Sequence, residues 1–322
     1  MNGLPKLSVV VPMYNEEGTV VSTIERIEEV LMNAVPRWEL ILVNDGSTDG
    51  TLNTAHRASQ GKDNIRIVSY TINRGRGRAL REGFKQASGE IIVTIECDLS
   101  YDPRYIYALY QELCKNPEVD IILGSVYAKG GQAVDVPPRR LALSRYGNKV
   151  LAYALGANVS TITSMLRGYR RRVLEALSLE SDGKEIHLEI LSKAVALNFL
   201  IKEVPVVLRG RKTGKSKFKL VNTVTSHLLF SFLEKPMIIF GLLGIILLLA
   251  GVAGGIYIIV LWREGRLNPD RPLIIVTALL ILTGLQTLFF GFLAIQQSYL
   301  RKQIYRLQSE NKRQKDLSSE KK

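Results

Sequence analysis

The chain has 322 residues, enough for one sizeable α/β domain and something further, and its 46% apolar content is weighted toward the C-terminal end. A formal net charge of +13 points to an anionic partner: nucleic acid, an anionic membrane face or a phosphorylated substrate. Its two cysteines, Cys97 and Cys114, argue against a disulfide framework and for a reducing compartment, and Met1–Lys6 leads into a strand with no signal-peptide pattern.

Leu7–Val11 is a short apolar run followed by the turn formers Pro12–Gly18, and Thr19–Met32 has helical spacing, so the first unit reads strand, loop, helix. A second strand, Trp38–Val43, enters the loop Asn44–Thr51. There glycines permit close backbone approach and Asp45 can accept bonds from a base or ribose, while Asp49 reads equally as a helix cap. Ile65–Tyr70 is a third strand. After it, Arg74, Arg76 and Arg78 interleave with Gly75 and Gly77 at a helix start, which forms a candidate anion site.

Ile91–Ile95 is a β-branched apolar run that reads as a strand buried on both faces. Its end must emerge at a sheet rim, and there stand Glu96 and Asp98, with Cys97 between them as a small buried residue. In open α/β sheets ligands bind beyond the carboxyl ends of the strands, so this pair is placed to hold a divalent ion against a diphosphate; the bland alternative is two acids ending a strand in water. A helix from Pro103 to Lys115 and a strand Asp120–Leu123 complete an alternation that predicts a doubly wound, mostly parallel sheet.

Four ordered motifs carry a resemblance: Pro12-x-Tyr14-Asn15-Glu16, Asn44-Asp45-Gly46-Ser47-x-Asp49-Gly50-Thr51, Asn73-x-Gly75-x-Gly77-x-Ala79 and Glu96-x-Asp98-Leu99-Ser100-x-Asp102-Pro103. Together they resemble glycosyltransferase family 2, nearest to the dolichol-phosphate mannose synthase and polyprenyl-phosphate glycosyltransferase group. The resemblance implies a GT-A fold over residues 1–217, Rossmann-like with a mostly parallel sheet, a nucleotide-sugar donor, and Mg²⁺ or Mn²⁺. It assigns Pro12, Tyr14, Glu16, Asp45, Gly75, Arg76 and Asp98 to the donor, and Glu96, Asp98 and Ser100 to the metal. The family usually has Asp where Glu96 stands.

The acceptor side follows. Arg140 and Ser144 are four apart and share a helix face, which can grip a phosphate or lie against lipid headgroups; similarity to the family tilts this toward an acceptor phosphate. Relatives often have Arg where Val126 stands, and Thr161 and Met165 replace the Asp and Gly of a family segment. Glu189 matches a frequent family acid near the site. The basic loop Arg209–Lys217 looks like the family's closing loop, so Arg211, Ser216 and Lys217 are expected over the phosphates, or equally as a juxtamembrane basic patch.

Residues 218–235 read as an interfacial helix, and the uncharged runs Pro236–Trp262 and Pro272–Leu300 as two membrane-spanning helices. Residues 301–322 form a basic tail whose polar end, from Gln308, is expected to fray. Its cations, set against Arg263, Arg266 and Arg271 in the link, place the catalytic part and both termini in the cytoplasm by the positive-inside rule.

The expected reaction is inverting transfer of a sugar from GDP-mannose or a UDP-sugar to a polyprenyl or dolichyl phosphate. Asp98, Glu96, Arg211 and Lys217 would stabilise the leaving diphosphate, and no His or Ser/His/Asp constellation accompanies the motifs. Two other readings stand beside it: a processive polysaccharide synthase, whose Gln-x-x-Arg-Trp segment is missing, and a catalytically altered membrane scaffold. No aromatic-basic platform supports nucleic acid. Tetramers are familiar among relatives, so a homo-oligomer is a further expectation.

Overall fold

Leu7–Met13 (β1) is buried along nearly its whole length because it is paired on both sides, in parallel, with Trp38–Asp45 (β2) and Ile91–Thr94 (β4). Helices packed on both faces of these strands explain the largely apolar runs: with no solvent face, the strands have no position at which alternation would help. The structure, a computed structural model, describes residues 6–210, 236–268 and 272–319. The chain divides into two compact units, Met1–His227 with Tyr305–Lys322 and Leu228–Ile304.

In the first unit, β2 leads through Thr51–Ser59 (α2) to Ile65–Tyr70 (β3), which pairs outside β2; Arg76–Gln86 (α3) then carries the chain back to β4 on the far side of β1. The strand order reverses there, so the carboxyl ends of β1 and β4 diverge and leave a crevice between their following loops, the usual ligand position in such sheets. Val20–Leu31 (α1) buries Val20, Thr23, Ile24, Ile27 and Leu31, one helical face, and the Thr23 hydroxyl donates to the Cys97 carbonyl at 2.8 Å. The helix thereby fixes the turn that carries the acidic pair.

Arg104–Lys115 (α4) leads to Ile121–Ser125 (β5). The chain then makes a long excursion through Gln132–Val134 (β6) and Pro138–Leu155 (α5) before returning as Arg167–Arg170 (β7), antiparallel between β4 and β5. Arg171–Ala176 (α6), Ile186–Ala196 (α7) and Ile201–Pro205 (β8) complete a seven-stranded sheet of order β3-β2-β1-β4-β7-β5-β8. The strand expected over Val204–Leu208 is two strands. Pro205 has no N–H to continue the ladder, and Val207–Arg209 (β9) pairs instead with β6.

The second unit holds Pro236–Arg263 (α8) and the first part of Pro272–Ser319 (α9), both long and apolar enough to cross a membrane. Their surfaces are apolar too: Leu249 is 64% exposed, Ile256 60% and Phe289 59%, an exterior that calls for lipid or another protein. The second helix does not stop at Leu300. It continues through the polar tail to Ser319, so residues 308–319 of the segment expected to fray are helical, and from Tyr305 the helix belongs to the first unit. The interfacial helix expected over 218–235 lies outside the described residues.

Candidate active site

The loop after β1 and the loop after β2 are stitched together. Asn15, at φ 54°, donates its backbone N–H to the Ser47 hydroxyl at 3.0 Å and accepts the Thr48 N–H on its side-chain oxygen at 2.8 Å. Glu16 donates its N–H to the Thr51 hydroxyl at 2.8 Å, and Glu17 accepts the Gly50 N–H at 3.0 Å. The segment that carries Pro12, Tyr14 and Glu16 is thus held to the second loop by a framework of polar backbone contacts. Asp49 stands one residue before the N-cap, Gly50, and accepts the Thr51 N–H at 3.0 Å. Burial pushes its carboxyl up, but the Thr51 and Glu17 bonds more than offset this and hold it below its usual value.

Asp45, at the end of β2 and 4% exposed, turns its carboxylate into the Gly-rich loop. It accepts the N–H groups of Arg74 at 2.9 Å and Gly75 at 3.0 Å and the Asn73 amide at 3.0 Å. Three donors to one carboxylate fix the backbone that opens α3. Gly75 sits at φ 101°, and a Cβ there would meet the Asp182 carbonyl at 2.7 Å. The loop Ser178–Glu185 therefore lies directly over the α3 N-terminus, where Arg78 donates its N–H to the Asp182 carbonyl at 3.1 Å and Arg81 pairs with the Asp182 carboxylate at 2.9 Å. Glu189 of α7 holds that loop from behind, accepting the Glu180 and Ser181 N–H groups, each at 2.9 Å.

Beyond β4 the chain turns sharply, with Leu99 at φ 53°, and Asp98 accepts the Ser100 N–H at 2.9 Å. Glu96 pairs with Arg76 at 3.1 Å. Burial and then the Arg76 charge hold the Lys184 ammonium below its usual value, against the pull of Glu185 and Glu96. Cys97 is buried, and that burial pushes its thiol up to about 12, so it is a neutral packing group. The Ser100 carbonyl accepts the Arg209 N–H at 2.9 Å and Tyr101 bridges to Leu208, which ties the stem of the basic loop to the acidic turn. Arg211, Ser216 and Lys217 themselves lie outside the described residues.

On the other side, Arg140 and Ser144 are exposed one turn apart on α5. Asn148, one turn further, donates to the Ser144 carbonyl at 2.8 Å and accepts the Ile162 N–H at 2.6 Å, so the helix is pinned to the segment 161–166. That segment is held from within by Arg167, fully buried, whose guanidinium donates to the carbonyls of Ser164, His187 and Ile162. Thr161 bonds Ser125 at 2.6 Å, and Glu203 of β8 accepts the N–H groups of Ser160 at 2.9 Å and Thr161 at 2.7 Å. Val126 packs against the core.

Residues 8–178, over half of the chain, match the family model described as glycosyl transferase family 2. The chain belongs to glycosyl transferase family 2. Among curated relatives, this family 2 enzyme is 31% identical over 313 residues to the dodecaprenyl-phosphate galacturonate synthase of Rhizobium johnstonii, covering 92% of this chain and 89% of that protein. It is 30% identical over 216 residues to the polyprenol monophosphomannose synthase of Mycolicibacterium smegmatis, covering 65% of this chain and 79% of that protein. Among solved structures, glucosyl-3-phosphoglycerate synthase from Mycobacterium tuberculosis, in complex with Mn²⁺, UDP and phosphoglyceric acid, superposes with TM-score 0.55. That likeness is 23% identical and covers 70% of this chain and 78% of the other. The fold is GT-A and the protein is a glycosyltransferase.

The oxygens of Glu96, Asp98 and Ser100 suit a hard cation, yet among the described residues no cluster of three His, Cys, Asp or Glu side chains can hold a metal alone. Two carboxylates at a crevice rim fit Mg²⁺ or Mn²⁺ when substrate phosphates complete the coordination. Sequence reasoning about this glycosyltransferase missed Lys184 and the 178–185 loop. The available signal was the charged pair Glu189 and Lys193, four residues apart on the largely buried helix α7.

Proposed function

We propose that this glycosyltransferase moves a sugar from a nucleoside-diphosphate donor to a polyprenyl phosphate. The observation that carries the reading is the acidic pair Glu96 and Asp98 at the crevice rim, with Arg76 at 3.1 Å from Glu96, beside the two stitched loops. The similarity to a dodecaprenyl-phosphate galacturonate synthase runs over 92% of the chain, both apolar helices included, and supports a lipid-phosphate acceptor.

In this account Pro12, Tyr14 and Glu16 border the nucleotide, Asp45 fixes the Gly75–Arg76 backbone beside the diphosphate, and Arg76 and Lys184 supply positive charge to the leaving group. Asp98 and Glu96, with Ser100, would hold Mg²⁺ or Mn²⁺, which when bound draws charge from the departing diphosphate. Arg140 and Ser144 orient the acceptor phosphate, and Arg211, Ser216 and Lys217 close over both. A phosphate monoester has a second pKa near 6 and is therefore already largely dianionic at neutral pH. No strong general base is needed; the protein's work is alignment for in-line attack at the anomeric carbon and stabilisation of the leaving group. The two spans keep the acceptor in reach, with the catalytic unit and tail on the cytoplasmic side by their cation excess.

A donor panel tests this. Full-length protein, short-chain polyprenyl phosphate and Mg²⁺ or Mn²⁺ are given each GDP- and UDP-sugar in turn, and the lipid product is weighed by mass spectrometry. One added sugar with acceptor-dependent release of nucleoside diphosphate is expected. Acceptor-independent release, or a lengthening glycan, contradicts it.

A further inference from the structure

Lys193 lies in the apolar helix α7 and is only 6% exposed. Its ammonium donates to Glu189 at 2.6 Å and to the Ser178 carbonyl, and it sits 5.1 Å from the centroid of the Tyr305 ring, which comes from the C-terminal turns of α9. A buried cation needs such partners, and an aromatic face is an effective one when desolvated. Glu189 in turn accepts the Glu180 and Ser181 N–H groups. Seven residues beyond Tyr305, two turns on along the same helix face, Lys312 donates to the carbonyls of Leu177 at 2.9 Å and Leu174 at 3.2 Å. Leu174 lies in α6 and Leu177 is its C-cap residue, immediately before the same loop. The tail thus touches the loop's entry directly and its middle through Lys193 and Glu189.

The other side of the loop is the donor crevice. The Asp182 carbonyl accepts the Arg78 N–H and its carboxylate pairs with Arg81, and the loop backbone lies so close to Gly75 and Gly77 that a Cβ at either would strike it. We propose that the C-terminal turns of α9 are a positioning brace for the donor site: Tyr305, through Lys193, and Lys312, through the end of α6, hold residues 178–185 against the α3 N-terminus. Tyr305, Lys193 and Lys312 are positioning residues, since none touches the reacting groups. The inference rests on the reading of 178–185 as a wall of the donor crevice.

The test uses the full-length protein with Tyr305→Ala, Tyr305→Leu, Tyr305→Phe and Lys312→Met, and two readouts. The first is hydrogen exchange of the 178–185 amides, measured by mass spectrometry without donor or acceptor. The second is the donor KM against kcat. Tyr305→Ala and Tyr305→Leu are expected to speed exchange in 178–185, but not in β1, and to raise the donor KM about fivefold with kcat nearly unchanged. Tyr305→Phe, which keeps the ring face, is expected to match the wild type in both. Lys312→Met is expected to speed exchange at the start of the loop. Unchanged exchange, changed exchange with an unchanged donor KM, full retention by Leu, or loss in Phe overturns the brace. Should no nucleotide sugar yield a lipid product, the acceptor reading fails by itself, while the exchange readout still decides whether the tail holds the loop.

Discussion

Arg76 Nη2 stands 3.1 Å from Glu96 Oε1, joining the Gly-rich loop to the acidic turn across the mouth of the crevice. Both side chains keep partial solvent contact, 32% and 21%, so the pair adds little stability and its value is in placing charge. Arg76→Met is therefore expected to leave the unfolding midpoint nearly unchanged and to lower kcat about 10- to 100-fold through loss of a leaving-group cation. Steady-state kinetics beside a denaturation curve checks both halves.

Gly77 is the tightest point between α3 and the loop over it. A Cβ there would strike the backbone carbonyls of Ser181 and Gly183, the latter at 2.6 Å, and backbone cannot yield as a flexible side chain can. Gly77→Ala should cost about 1–3 kcal/mol of stability and raise the donor KM as the loop lifts. Chemical denaturation and donor titration of the variant measure the two effects.

Thr161 stands where the family resemblance leads one to expect an acid, and Glu203 disfavours an acid there. Its carboxylate already accepts the Thr161 N–H at 2.7 Å in a site where Thr161 is 4% exposed. Thr161→Asp would set a buried carboxylate beside the half-buried one of Glu203 and is expected to destabilise by about 1–3 kcal/mol. Adding Glu203→Gln should recover much of that loss, a non-additivity that a double-mutant cycle reads directly.

The first strands and helices were legible because β1, β2 and β4 are buried on both faces, so Leu7–Val11, Trp38–Val43 and Ile91–Ile95 appear as largely apolar runs, each broken by a single polar residue, Ser8, Glu39 or Thr94. The acidic pair was legible for the same reason: a strand that ends in Glu96 and Asp98 must deliver them to the rim. β7 was not legible. Its sequence Arg-Gly-Tyr-Arg is charged and glycine-bearing, and it becomes a strand because Arg167 finds three carbonyls inside the fold. Asp45 was legible as a hydrogen-bond acceptor at a loop, but its partners were not: they lie 28 to 30 residues on, and no local pattern announces them. The 178–185 loop has no periodicity at all, so its closure over α3 emerges only from tertiary contacts.

Glu189 gives the loop a pH dependence of definite sign. Burial pushes its carboxyl up, but the Lys193 ammonium and the N–H groups of Ser181 and Glu180 outweigh this and hold it below the usual carboxylate value. A group depressed in the folded state contributes stability above its unfolded pKa and loses it as pH falls through the folded one. The wild type should therefore unfold at a higher temperature than Glu189→Gln at neutral pH, and the gap should close on acidification below the ordinary carboxylate range. Parallel melting curves of the two proteins across that range give the comparison.

The most direct measurement concerns Asp98. Asp98→Asn keeps a side-chain oxygen to accept the Ser100 N–H, so the turn survives while the charge that would meet cation and diphosphate is removed. Transfer from the productive nucleotide sugar to polyprenyl phosphate is measured over a titration of Mg²⁺ or Mn²⁺, with melting temperature as the folding control. The account predicts a fall of about a thousandfold that added metal does not restore, with the melting temperature held. Near wild-type transfer by Asp98→Asn, or full wild-type activity after removal of divalent metal by chelation, would contradict it.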